Sequence, residues 1–186
     1  MSAPWLLEGV ERSIVAYIKA NIEQALLDVR TRSPNVEPDE QNPFYYQVNV
    51  TTPRTYFTYA DGKDYLCPAI FVIGKNIDMR QEEKAGNFIT GLAEVQVTCV
   101  VEDKTSAMCN SFAYRYASAL HSILDLANLE IIGDLTPPQG VAKYFVRVSR
   151  LENSDLFTNT EDKTRSTSIF RKEIALYLKV EHFENF

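Results

Sequence analysis

Ala93-Glu94-Val95-Gln96-Val97-Thr98-Cys99-Val100-Val101-Glu102-Asp103-Lys104-Thr105 and its continuation to Ala127 decide the fold, because the hydrophobic period changes from two to about four inside this stretch. Ala93, Val95, Val97, Cys99 and Val101 alternate with Glu94, Gln96, Thr98 and Glu102, the pattern of a strand with one buried face. Val100 alone breaks it. Glu102 to Thr105 turn the chain, with Asp103 or Thr105 placed to accept a hydrogen bond from an unpaired amide at a helix start. Cys109, Phe112, Ala113, Tyr116, Leu120, Ile123, Leu124 and Ala127 then recur at three and four, one apolar stripe on a helix, with Arg115, Ser118, Ser122 and Asp125 on the other face. A strand runs into a helix that lies back over the sheet.

Working outward, Leu7, Val10, Ile14, Ile18, Ile22, Ala25 and Val29 predict a first amphipathic helix of about five turns. Pro34, Pro38 and Pro43 punctuate a polar segment near 31–43 that continues neither helix nor central strand and reads as an arm or linker. Phe44 to Val50 and Thr55 to Tyr59 are aromatic and β-branched, with a turn at Ala60-Asp61-Gly62-Lys63. Ala69 to Ile73 is a short apolar run that suits a strand buried on both faces. Lys75 to Asn87 reads as a projecting loop. Leu129 to Ile132 and Val141 to Leu151 are strand candidates, separated by Pro137-Pro138-Gln139-Gly140. Phe170, Ile174, Leu176, Leu178 and Val180 alternate with Arg171, Glu173, Tyr177, Lys179 and Glu181 in a last strand. The expectation is one α+β domain over 1–186: a mixed or antiparallel β-sheet, one face covered by two amphipathic helices, with long projecting loops. The predicted core between helix and sheet is Val97, Phe112, Tyr116, Leu120, Ile174 and Leu176.

Function classes fall away in turn. The chain of 186 residues is 45% hydrophobic, enough for a real core, yet has no apolar run of about 18 residues to span a bilayer. Its start lacks the charged and apolar regions of a signal peptide, which predicts synthesis in the cytoplasm. A net charge of −6 opposes a general nucleic-acid clamp, which needs cations to displace counterions. Cys67, Cys99 and Cys109 have no zinc or redox spacing, and His121 and His182 lack ligand-spaced partners. No glycine-rich phosphate loop, G-x-S-x-G or H-E-x-x-H occurs, so neither cofactor nor metal is expected. One catalytic alternative exists: Asp39 with Glu102 and Lys104 loosely matches the carboxylate and lysine pieces of metal-dependent nucleases. It lacks the structural context that chemistry requires.

Glu152 to Ser168, rich in Asn, Asp, Thr and Ser, reads as a polar excursion between strands, an assembly loop near 152–168. Leu156 and Phe157 would anchor a partner, with Asp155, Glu161, Asp162, Lys163 and Arg165 at a wet rim. Tyr45, Tyr56 and Tyr59 are further interface candidates in the tyrosine-rich region.

The order of these elements, with Gly91-Leu92-Ala93-Glu94-Val95-Gln96-Val97, Tyr116-Ala117-Ser118-Ala119-Leu120 and Phe170-Arg171-Lys172-Glu173-Ile174-Ala175-Leu176, resembles the tail terminator proteins of tailed bacteriophages. That resemblance implies a virion protein without catalysis, an α+β subunit that forms a ring, a hexamer in the assembled tail. Its partners would be copies of itself, the tail tube protein and the head connector or neck protein, with DNA passing through the lumen without sequence-specific binding. Another neck or head-completion protein of the same virion is the neighbouring expectation. No membrane partner is expected, because no apolar run is long enough to span one.

Overall fold

The computed structural model describes residues 4–32, 52–58, 65–81, 88–126, 133–134, 143–162 and 169–185. Among these residues two helices, α1 (Pro4–Arg32) and α2 (Ser106–Leu126), lie against one open sheet of six strands. The strands are β1 (Thr55–Phe57), β2 (Ala69–Gln81), β3 (Phe88–Asp103), β4 (Gly133–Asp134), β5 (Lys143–Asp162) and β6 (Ile169–Asn185). Their spatial order is β1-β2-β3-β6-β5-β4, with β1 parallel to β2 and every other pair antiparallel. The class is α+β with a mixed sheet, as the strand-to-helix change of period predicts.

The alternation of β3 sets the layers. Ala93, Val95, Val97, Cys99 and Val101 enter one core with Ile174, Leu176, Leu178 and Val180 of β6 and Ile70 and Val72 of β2. Val10, Ile14, Ile18, Ile22 and Leu26 of α1 and Cys109, Ala113, Tyr116, Leu120, Ile123 and Leu124 of α2 cover that face. Each fully buried Leu or Ile contributes roughly 1.5–3 kcal/mol of transfer free energy, so this layer dominates the stability. All six predicted core residues are in it, Phe112 partly buried. Val100, the residue out of pattern, faces the opposite side, where it joins Ala69 and Phe71 in a second, smaller cluster. Alternate residues of β2 thus serve two cores, which is why 69–73 is uniformly apolar.

The turn into α2 is built by the two residues named for it. Asp103 Oδ1 accepts from Thr105 N at 2.9 Å, and Thr105 Oγ1 accepts from Met108 N at 3.3 Å, so Thr105 caps a helix that begins at Ser106. At the same end, the Cys109 thiol donates to the Phe170 carbonyl at 3.4 Å.

Three expectations are corrected. Lys75 to Gln81 is not loop but the second half of β2, paired with β3 as far as Gln81↔Ile89. Thr31 and Arg32 end α1 rather than start an arm. The excursion at 152–168 is strand through Asp162, so Asp155, Leu156, Phe157, Glu161 and Asp162 belong to a ladder with β6 that runs to Asp162↔Ile169. A polar sequence can hold such a strand because the ladder bonds are made by the backbone, not the side chains. The remainder of the arm, 33–43, the tip 163–168 and the strand candidates 44–50 and 129–132 lie outside the described residues.

Candidate functional site

The face of the sheet turned away from the helices carries Glu94, Gln96, Thr98, Val100 and Glu102 from β3 and Arg171, Glu173, Ala175, Tyr177, Lys179 and Glu181 from β6. These side chains are half-buried or exposed, apart from Val100. Register places Glu94 opposite Lys179 and Glu102 opposite Arg171, two cross-strand pairs of opposite charge. Four carboxylates to two cations leave the β3–β6 strip of this face net acidic.

At one end an aromatic cluster sits on it. Phe57 stacks on Phe71 with centroids 5.3 Å apart and planes at 25°, and Tyr65 meets Phe71 edge-on at 5.0 Å. The Arg171 guanidinium lies 5.1 Å from the Tyr65 ring centroid and pairs with Glu173 at 3.1 Å. The Tyr65 hydroxyl and Arg171 Nε are enclosed without a hydrogen-bond partner, a state that costs roughly 1–3 kcal/mol per group until an acceptor is supplied. Leu66, 67% exposed, projects beside them. Sequence reasoning missed this cluster; its signal was the aromatic spacing of Phe57, Tyr65 and Phe71, which only parallel pairing of β1 with β2 gathers.

Cys67 borders the cluster beside Glu102. Burial first, and then the Glu102 carboxylate, push its thiol up to about 12, so it is a neutral thiol near neutral pH. Cys99 is raised further by complete burial. Among the described residues no group of three or more His, Cys, Asp and Glu side chains is arranged to hold a metal ion. Glu102 and Lys104 are both exposed, at the end of β3 and in the following turn, while Asp39 lies outside the described residues. No described helix is long and apolar enough to cross a membrane.

The sheet edges are the second feature. β1 covers β2 only from Ala69 to Phe71, and β4 covers β5 only at Phe145 and Val146. Among the described residues the outer sides of β2 beyond Phe71 and of β5 beyond Val146 therefore have no strand beside them. Three register shifts leave Ser149, Glu152 and Phe157 without a partner on β6. Such bulges bend an edge strand and raise its twist.

The named interface candidates divide accordingly. Asp155, Leu156, Glu161 and Asp162 are ladder residues of the uncovered strand β5, and Phe157 is one of its bulges. Tyr56 packs against the helix-side core, with Lys19 Nζ 4.8 Å from its ring centroid, and burial raises its hydroxyl to about 12. Tyr45, Tyr59, Lys163 and Arg165 lie outside the described residues.

No family model matches the chain, and no curated protein matches it. Among solved structures, a chain described as "Virion of native gene transfer agent (GTA) particle" is similar to this one with a TM-score of 0.37 at 10% identity, over 97% of this chain and 99% of that one. A likeness of that size carries no argument about function.

Proposed function

We propose that this chain is a structural virion protein whose copies close into a ring, a hexamer in the assembled tail, that terminates the tail tube and joins it to the head connector. The sequence pattern suggests the class, and one observation carries the assembly: among the described residues the sheet has two edges of opposite direction with no strand beside most of their length. β2, β3, β6 and β5 alternate in direction, so β2 and β5 run oppositely. Copies related by rotation about an axis along the strands would bring the β5 edge of one against the β2 edge of the next, again antiparallel. That contact joins two different surfaces, the head-to-tail kind that generates rings. The helix-free faces would then form one continuous wall, and its acidic excess suits passage of DNA, which a cationic wall would hold by counterion release.

Location within the virion tests the reading. Electron microscopy of purified particles labelled on this chain should place a ring between tail tube and connector. A label elsewhere in the particle, or particles that join heads to tails without the chain, would overturn it. We expect no catalysis. Glu102→Ala and Lys104→Ala should support normal assembly, whereas metal-dependent DNA cleavage lost in both variants would favour the nuclease.

A further inference from the structure

Gly74 sits where β2 passes out from under the cover of β1, next to a register shift that leaves Lys75 without a partner on β3. Its N–H donates to Glu11 Oε1 of α1 at 2.7 Å. A strand's N–H lies in the plane of the sheet, and β3 fills one side of β2, so a proton that ends on Glu11 points out of the open side. The contact is close on both partners: a Cβ on Gly74 would stand 2.5 Å from Leu7 Cδ1 and Cγ. The first turns of α1 are therefore seated directly on the strand at this point. Beside them, Arg12 pairs with Glu8 one turn away, which leaves the Glu11 carboxylate to the backbone.

We propose that Glu11 is an edge stop, which occupies the outer side of β2 at Gly74 and confines strand addition by a second copy to residues 76–81. The incoming segment is the outer edge of β5 beyond Val146, which has no strand beside it among the described residues, on the long strand of opposite direction that the sheet presents elsewhere. An exposed row of amides and carbonyls pairs with any strand that reaches it, so an edge used for ordered assembly needs a defined end. β1 closes the edge over Ala69–Phe71, Glu11 closes it at Gly74, and the bulge at Lys75 offsets the register between the closed and open parts. The choice of partner edge rests on the ring reading, while the stop itself is tested on the isolated chain.

Sedimentation equilibrium of the full chain decides it, with three variants at matched concentrations. Glu11→Ala removes the acceptor and should raise the self-association constant about tenfold, the worth of one or two further ladder hydrogen bonds. Glu11→Gln keeps an acceptor at the same reach and should associate like the parent. Ile18→Val, a change in the buried core that leaves the Glu11–Gly74 bond in place, reports association caused by lost stability alone. Equal association of Glu11→Ala and the parent would overturn the stop. So would an equal rise in Ile18→Val, or a rise in Glu11→Gln that matches alanine. Failure of the ring reading would show separately, as a label outside the head-tail junction in virions.

Discussion

Truncating Leu120 to alanine probes the layer that holds α2 to the sheet. Leu120 is fully enclosed, 0% exposed, in the core with Tyr116, Ile123 and Leu124 of its own helix and the β3 and β6 residues beneath. The change removes three carbons, about 2.4 kcal/mol of transfer free energy at ~0.8 per buried methylene. The space left adds to this, because β3 and β6 are tied into ladders on both sides and cannot close over it, so about 3–4 kcal/mol is expected within a usual range of roughly 2–5. In a chain of this size that lowers Tm by about 6–16 °C, at ~2–4 °C per kcal/mol. Urea titrations of parent and variant, followed by far-ultraviolet circular dichroism, measure it as a lower midpoint with unchanged slope. Ser118→Ala, on the exposed face of the same helix, is the matched control and should stay within about 0.5 kcal/mol. A loss at Leu120 no larger than the control would refute the placement of α2 and the account of the core built on it.

Gly74→Ala forces a Cβ into Leu7 and should destabilise the fold by roughly 1–3 kcal/mol, read by the same titration; a neutral effect would mean α1 is not seated there. Burial raises the Glu11 carboxyl above its ordinary value, against the opposing hydrogen bond from Gly74. A raised folded pKa contributes stability that is present below the unfolded value near 4.5 and is lost as pH rises through the folded one. Glu11→Gln should therefore be at least as stable as the parent at pH 7 and lose that advantage at pH 4, and the reverse order would refute the burial argument. Cys67, raised to about 12, should react with iodoacetamide at pH 8 far more slowly than a free thiol, measured by mass spectrometry of the labelled peptide.

The strand-helix unit, the cap at Thr105, the stripe of α1 and the alternation of β6 were legible because in each the side chains report the period of the backbone. One residue in two, or in three and four, must meet the same core, so burial writes itself into composition. Strand β5 was legible only in its first half, the candidate at 141–151, and not in its continuation to Asp162. Register shifts at Ser149, Glu152 and Phe157 interrupt the two-residue period of its pairing with β6, and one at Lys75 does the same to β2, so no single alternation runs through the sequence of either strand. The interface candidates on 155–162 belong to a strand, not to a loop. The aromatic cluster at Phe57, Tyr65, Phe71 and Arg171 joins β1, the approach to β2, β2 and β6, and no local pattern links residues that far apart. Sequence alone determined the α+β class and the helix-side core, because those follow from hydrophobic burial along single elements. Only the tertiary structure decided which edges have no strand beside them among the described residues and where Glu11 meets Gly74, because contacts between elements far apart in sequence leave no periodic pattern in either one.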